Sequence, residues 1–415
     1  MNINITIQCA TCDEKTNCRI GMSNRSEQPL RFCCQSCGSP IDIEIRKNAV
    51  SFAGAKQVET LPFDDKTNFV DLHLDYPVSF EKYVMGYTPF LRASQRVEPE
   101  YLLLHMSRLD HLNAELTKFR DFKLLINLYI KSKWSLFKSV CWDVFRVKLK
   151  TEKPEDLNAA LYAVIAIMMF PFEYPGQNTE SVEFYSDLTK DLHENKLAAM
   201  NAFMDEILNS GFLKNLQIDC LEIYPRILDA ELPLRPAFFL DFDEEYKNSP
   251  IPMRVSSDAF ESYKDLYKDI SEIISRQFVL PAGLNNLIKR GNHNAFKPEI
   301  GKAANGKDYT PKSLHQFADV SFGTKLDYID DSWLPPLEGG ADNELRNAIA
   351  HFKTEYDDTT QTITYYPKRE GIKQKKGRQI SFLQFMHQLL ITYREMHRLH
   401  HLVKCLFYYQ FLIRK

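Results

Sequence analysis

Two Cys-x2-Cys turns, Cys9/Cys12 and Cys34/Cys37, stand 21 residues apart near the start of the chain, and no other feature restricts its fold so tightly. Each turn points two thiolates at one ion. Two such turns complete a tetrahedral four-sulfur shell, a closed arrangement without redox activity of its own that suits zinc in a structural role. Six of the nine cysteines fall within the first 37 residues, so the thiols are clustered rather than scattered. Cys33 adjoins Cys34 and competes for its ligand position, while Cys18 is unassigned. A segment this short would draw most of its folding free energy from the metal and should unfold when stripped.

The opening "MNINITIQCATCDEK" lacks the charged start and continuous apolar stretch of a secretory signal. The longest apolar run, Ala159 to Phe170, is too short to cross a bilayer and is followed by Pro171, so it reads as a buried core helix. The chain is therefore expected in the cytoplasm, away from membranes, where reduced cysteines hold metal more often than they form disulfides. With 415 residues, 44% of them hydrophobic, it is long enough for two or three domains. A formal charge of -3 excludes a polycation, and any affinity for nucleic acid must come from local patches.

Periodicity divides the chain into blocks. Residues 1–45 form the metal-binding ribbon, and 46–97 continue as a small β-rich segment, with "SPIDIEIRKNAV" and "NFVDLHLDYPVSF" alternating as strands do. From Glu98 apolar residues recur at helical intervals, giving a central helical region over 98–250, with Asp156 placed as a helix cap and "SVEFYSDLTKDLHENKLAAMNAFMDEILNSG" as one helical run closing on Gly211. A boundary falls near Asn248 to Pro252, and a loop-rich stretch spans Gly291 to Gly340. The fold class is mainly α, with the terminal block covering 251–415.

That last block carries "DNELRNAIAHF", from Asp342 to Phe352. After the Gly339-Gly340 break, Asp342 or Asn343 caps a new helix, and Glu344 sits where the helix dipole favours a negative charge. Asn347 and His351, four residues apart, share a face; Arg346 lies about 140° from His351 and needs its long side chain to reach the same spot. "TQTITYY" then reads as a strand after an Asp-Asp turn, and a basic loop supplies Lys368, Arg369, Lys373, Lys375, Lys376 and Arg378 ahead of a long final helix from about Ile380.

The R-N-x-x-x-H pattern at a helix start resembles the HEPN superfamily, and "LRNAIAHF" is similar to its abortive-infection branch. The likeness covers roughly the last 160 residues and is sharp over about eight. It implies a helical bundle that dimerises so that two motif copies line one cleft, with Arg346, Asn347 and His351 catalytic and Glu344 in a supporting role. It also implies a metal-independent endoribonuclease acting as a bacterial toxin or anti-phage effector on tRNA or mRNA, with a phage-derived activator or an antitoxin as further partners.

The chemistry agrees with that implication. Cleaving RNA without a metal requires a proton to leave the 2′-hydroxyl and another to reach the 5′ oxygen, and imidazole serves both transfers near neutral pH. A guanidinium offers a planar fork to phosphate oxygens, and a carboxamide adds an uncharged donor. The basic loop would attract the phosphate backbone without reading sequence. Attack by the 2′-hydroxyl selects RNA over DNA. The competing function is a non-catalytic dimeric zinc-containing binding or scaffold protein. A metal-dependent hydrolase is disfavoured, since neither H-E-x-x-H nor an acidic cluster at metal spacing occurs. His397, His400 and His401 read as a solvated or interfacial stripe of the last helix, and His105 and His111 as surface or core positions.

Overall fold

Alternating apolar and polar residues build the amino-terminal segment as strands. In the computed structural model, which describes residues 2–47, 49–64, 66–174, 177–247, 252–257, 259–301, 308–330, 342–367 and 377–414, β1 (Asn2–Cys9) and β2 (Lys15–Gly21) pair antiparallel. β3 (Gln28–Cys33), β4 (Pro40–Arg46) and β5 (Ala49–Ala53) form a second, antiparallel sheet. β6 (Ala55–Val58) and β7 (Asn68–Leu72) return to the first, giving the order β6-β1-β2-β7 with β7 parallel to β2. Ile41, Ile43 and Ile45 of β4 are buried while Asp42 is exposed, and they pack with Ile7, Ile20 and Leu72 of the other sheet in one core. This is the period-two pattern anticipated for "SPIDIEIR".

Three short strand pairings complete the β portion. β8 (Val78–Ser79) pairs with β9 (Met253–Arg254), and β10 (Thr354–Asp357), β11 (Thr362–Tyr365) and β12 (Arg378–Ser381) form an antiparallel sheet in that order. The anticipated hairpin after the Asp-Asp turn is β10–β11. Helices make up most of the remainder, so the fold is mainly α with a small amino-terminal β region.

The chain forms two compact units, each assembled from three separated stretches. The first comprises Met1–Thr117, Ile227–Leu266 and Glu344–Leu390, and holds every described strand. Within it the Arg19 guanidinium donates two 2.6 Å hydrogen bonds to Asp71 on the neighbouring strand, both side chains 4% exposed. Arg108, from the helix Pro99–Glu115, meets Asp241 at 2.6 Å, and His387 meets the same carboxylate at 3.2 Å.

The second unit comprises Lys118–Arg226, Tyr267–Asn343 and Ile391–Lys415. Its helix Pro154–Met169 starts with proline in the first turn and Lys153 as cap; Asp156, expected as the cap, instead sits in the first turn and accepts from the Thr151 hydroxyl at 2.5 Å. Proline, lacking an N–H, suits that first turn and moves the boundary upstream. Pro154–Phe172 is long and apolar enough to cross a membrane by length and composition, but 61% of that window is buried, with Leu161, Val164 and Met169 fully inside. The run expected from Ser181 to Gly211 as one helix is two, Gln177–Asn195 and Leu197–Asn209, broken at Lys196, whose ammonium donates to the Leu287 and Ile288 carbonyls.

The histidines of the final helix, Phe382–Tyr408, depart from expectation. His397 and His400 are 4% and 1% exposed, not a solvated stripe. The Tyr224 hydroxyl joins the Nδ1 atoms of both, at 2.7 and 2.6 Å; His400 Nε2 lies 3.1 Å from the Tyr162 hydroxyl, which also accepts from Gln217. His397 Nε2 faces Glu173 at 3.2 Å. Partners contributed by distant helices make burial of these polar rings affordable.

Candidate functional site

The two Cys-x2-Cys turns adopt the same backbone geometry. The Cys9 N–H donates to the Glu14 carbonyl and the Asp13 N–H to the Cys9 carbonyl; the Cys34 N–H donates to Ser39 and the Gly38 N–H to Cys34. The residue four past the leading cysteine is left-handed in both, Asp13 at φ 60° and Gly38 at φ 72°. Each turn closes a hairpin, β1–β2 in one sheet and β3–β4 in the other, and the two hairpin tips meet.

All four Sγ atoms lie within 4.8 Å of one another, with Cys9–Cys37 and Cys12–Cys34 at 3.7 Å. A tetrahedron with Zn–S bonds of about 2.3 Å has edges of about 3.8 Å, so the cluster is compatible with a zinc shell. Hydrogen bonds from the Ser39 side chain and backbone lower the Cys37 thiol to about 6. Cys12 is pushed the other way, to about 12: the Glu14 backbone favours its thiolate, but the surrounding thiols of Cys37, Cys34 and Cys9, with some desolvation, outweigh it. Binding of a divalent cation to such a cluster requires the thiols to ionise, with release of protons. Cys33 and Cys18 stay outside the cluster, Cys18 fully buried in the β core with its thiol held up by burial.

The motif in the terminal block begins as anticipated, with the helix Asn343–Ala350. Leu345, Ala348 and Ile349 are buried and anchor it. Arg346 Nη1 donates to Asn347 Oδ1 at 2.7 Å. The His351 N–H still bonds the Asn347 carbonyl at 3.1 Å, which keeps His351 one turn above Asn347, but His351 itself is the closing residue of the helix and is exposed. The Phe352 N–H then bonds Ile349 and the Lys353 N–H bonds Ala348, the paired closure of a Schellman motif with Phe352 in the left-handed position at φ 57°. Among the described residues the His351 side chain makes no hydrogen bond or ion pair, so it stands open beside the Arg346–Asn347 pair rather than locked to it.

Arg378, at the start of β12, forms an ion pair with Glu344 in the first turn of the motif helix. One predicted RNA-contacting cation thus adjoins the motif through the residue expected to support it. Lys368, Arg369, Lys373, Lys375 and Lys376, like Gly339 and Gly340, lie outside the described residues. The sequence reads Phe352, with Leu345 and Ile349, as a core contact of this helix; Leu345 and Ile349 are buried, but Phe352 falls past the helix end in the left-handed closing position and is 90% exposed.

No family model matches the chain, nor does any curated protein or solved structure.

Proposed function

We propose that the chain is a metal-independent endoribonuclease of the HEPN type, acting as a toxin or anti-phage effector, with a structural zinc ion in its amino-terminal ribbon. The observation that carries the catalytic reading is the bonded Arg346–Asn347 pair on a short, anchored helix that ends on an exposed imidazole. A guanidinium and a carboxamide side by side are both built of N–H donors, the chemistry that recognises a phosphate. His351 takes the 2′-hydroxyl proton or returns one to the 5′ oxygen; in a twofold dimer the second copy supplies the other role. Arg346 stabilises the charge that builds on the non-bridging oxygens. Exposure of His351 leaves room for a polynucleotide to approach. In the ribbon, Cys9, Cys12, Cys34 and Cys37 hold the zinc, which supplies cross-linking of the two hairpins.

The test is cleavage of total RNA and defined tRNA by purified protein, with magnesium omitted, EDTA added together with the RNA, and bound zinc measured before and after. A general acid or base contributes about 10² to 10⁴ in rate, so His351→Ala and Arg346→Ala should each remove nearly all cutting. Intact RNA at every dose, or equal cutting by His351→Ala, defeats the reading. In that case the formed thiol cluster favours the non-catalytic zinc-containing binding protein instead.

A further inference from the structure

A cavity of about 330 Å³ opens within the first unit, and its walls include neither the motif residues nor the four clustered cysteines. His73 and Asp75, just past β7, form its floor; Tyr76 and Phe90 form an aromatic wall, edge to face at 5.5 Å; Asn24 and Asp110 stand at the exposed side.

His73 is the informative residue. Its ring fits against β2 only because residue 21 is glycine: a Cβ there would lie 2.3 Å from His73 Cδ2. It is 4% exposed, and its Nδ1 accepts the Asp75 N–H at 3.0 Å. A ring nitrogen that accepts carries no proton, so the neutral ring bears its hydrogen on Nε2. Among the described residues nothing accepts that hydrogen. A donor without a protein acceptor, on a side chain 4% exposed at a cavity wall, points to an acceptor supplied by a ligand or water.

The remaining chemistry narrows the ligand. Asp75 is answered by Arg235, whose Nε donates at 2.7 Å, which leaves Asp110, accepting from the Asn24 amide at 2.6 Å, as the acceptor at the exposed side. Among the described residues no lysine or arginine lines it, so a phosphate would find no side-chain cation in the wall. The volume lies at the small end of ligand sites, about 300 to 1,000 Å³, and holds one small molecule rather than a polymer. Aromatic walls favour a flat ring.

We propose that this cavity binds an unphosphorylated heteroaromatic amine of nucleoside size, a nucleoside or free base. A ring nitrogen or carbonyl accepts from His73 Nε2, an exocyclic amine donates to the Asp110 carboxylate, and the ring lies against Tyr76 and Phe90. The site does not depend on the ribonuclease reading.

The experiment is titration calorimetry on the full chain with the four ribonucleosides and their bases, the matching 5′-monophosphates, and agmatine as a cation of comparable size. Saturable binding of at least one nucleoside or base is expected, with its monophosphate and agmatine at least about tenfold weaker. Losing one buried hydrogen bond is worth about tenfold, so His73→Phe should weaken binding by that much, and His73→Gln, which keeps a donor, by less. Met106→Trp, at a rim position 39% exposed, should block entry without disturbing the core, and circular dichroism checks the fold of each variant. Absence of nucleoside or base binding at millimolar concentration overturns the proposal. So does tighter binding of the phosphates or agmatine, or unchanged binding by folded Met106→Trp.

Discussion

Phe352 shows what a single residue reveals about the motif helix. A left-handed closing position favours glycine, because a Cβ there crowds the following carbonyl at a cost of about 1 kcal/mol. This chain places a phenylalanine there and leaves it 90% exposed. On the ribonuclease reading the ring stacks on a base of bound RNA, a contact worth about 1 to 3 kcal/mol per base. Phe352→Gly is then expected to raise the urea midpoint slightly while slowing RNA cleavage about tenfold; faster or unchanged cleavage removes Phe352 from the site. Tyr224 is a residue-scale case of the opposite kind. Its hydroxyl serves two buried imidazoles, so Tyr224→Phe should cost about 1 to 3 kcal/mol in chemical denaturation. None of this was legible around His397 and His400. Their partners Tyr224 and Tyr162 lie 173 and 238 residues away in sequence, and no local pattern announces them.

At the scale of elements, the two cysteine turns were the most legible part of the chain. Their spacing alone picked out the four thiols that lie within 4.8 Å of one another, and the repeated turn geometry follows from local hydrogen bonds that any Cys-x2-Cys hairpin can form. Cys34→Ser should lower bound zinc well below one per chain, measured by elemental analysis, and melt the paired sheets at a lower temperature. Cys33→Ser should leave zinc content unchanged; a loss there would place Cys33 in the shell. The hairpin β10–β11 was legible for a similar reason, alternation on either side of a turn. The break at Lys196 was not, because it is set by carbonyls at the end of the helix Val279–Arg290 that capture the lysine.

For the whole molecule, the count of buried neutral imidazoles sets its response to acid. Burial lowers His73 and His105 to about 4, against the ordinary 6.5, and depresses His400 and His401 as well. A histidine with a depressed folded-state pKa binds its proton in the unfolded chain first. Between pH 6.5 and 4 the unfolded state therefore takes up more protons, and stability falls as pH falls through that window. For His73 and His105 the loss is on the order of a few kcal/mol by pH 4. The urea midpoint should hold steady from pH 8 to 7 and drop steeply from 6.5 to 4.5; a flat profile would mean these rings are not buried neutral. Both units share the liability, since His73 and His105 belong to the first and His400 and His401 to the second.

By itself the sequence determined whatever depends on neighbours a few residues away: two cysteine turns of like geometry, inward isoleucines on β4, an arginine and an asparagine side by side on a short helix that closes on a histidine. Tertiary structure alone decided which polar side chains go inside, because a buried ring needs a partner and that partner comes from a distant stretch. It also decided how the stretches sort into units, each drawing on three separated parts of the chain. Short-range geometry is written in residue spacing, whereas burial is a property of what the rest of the chain brings alongside.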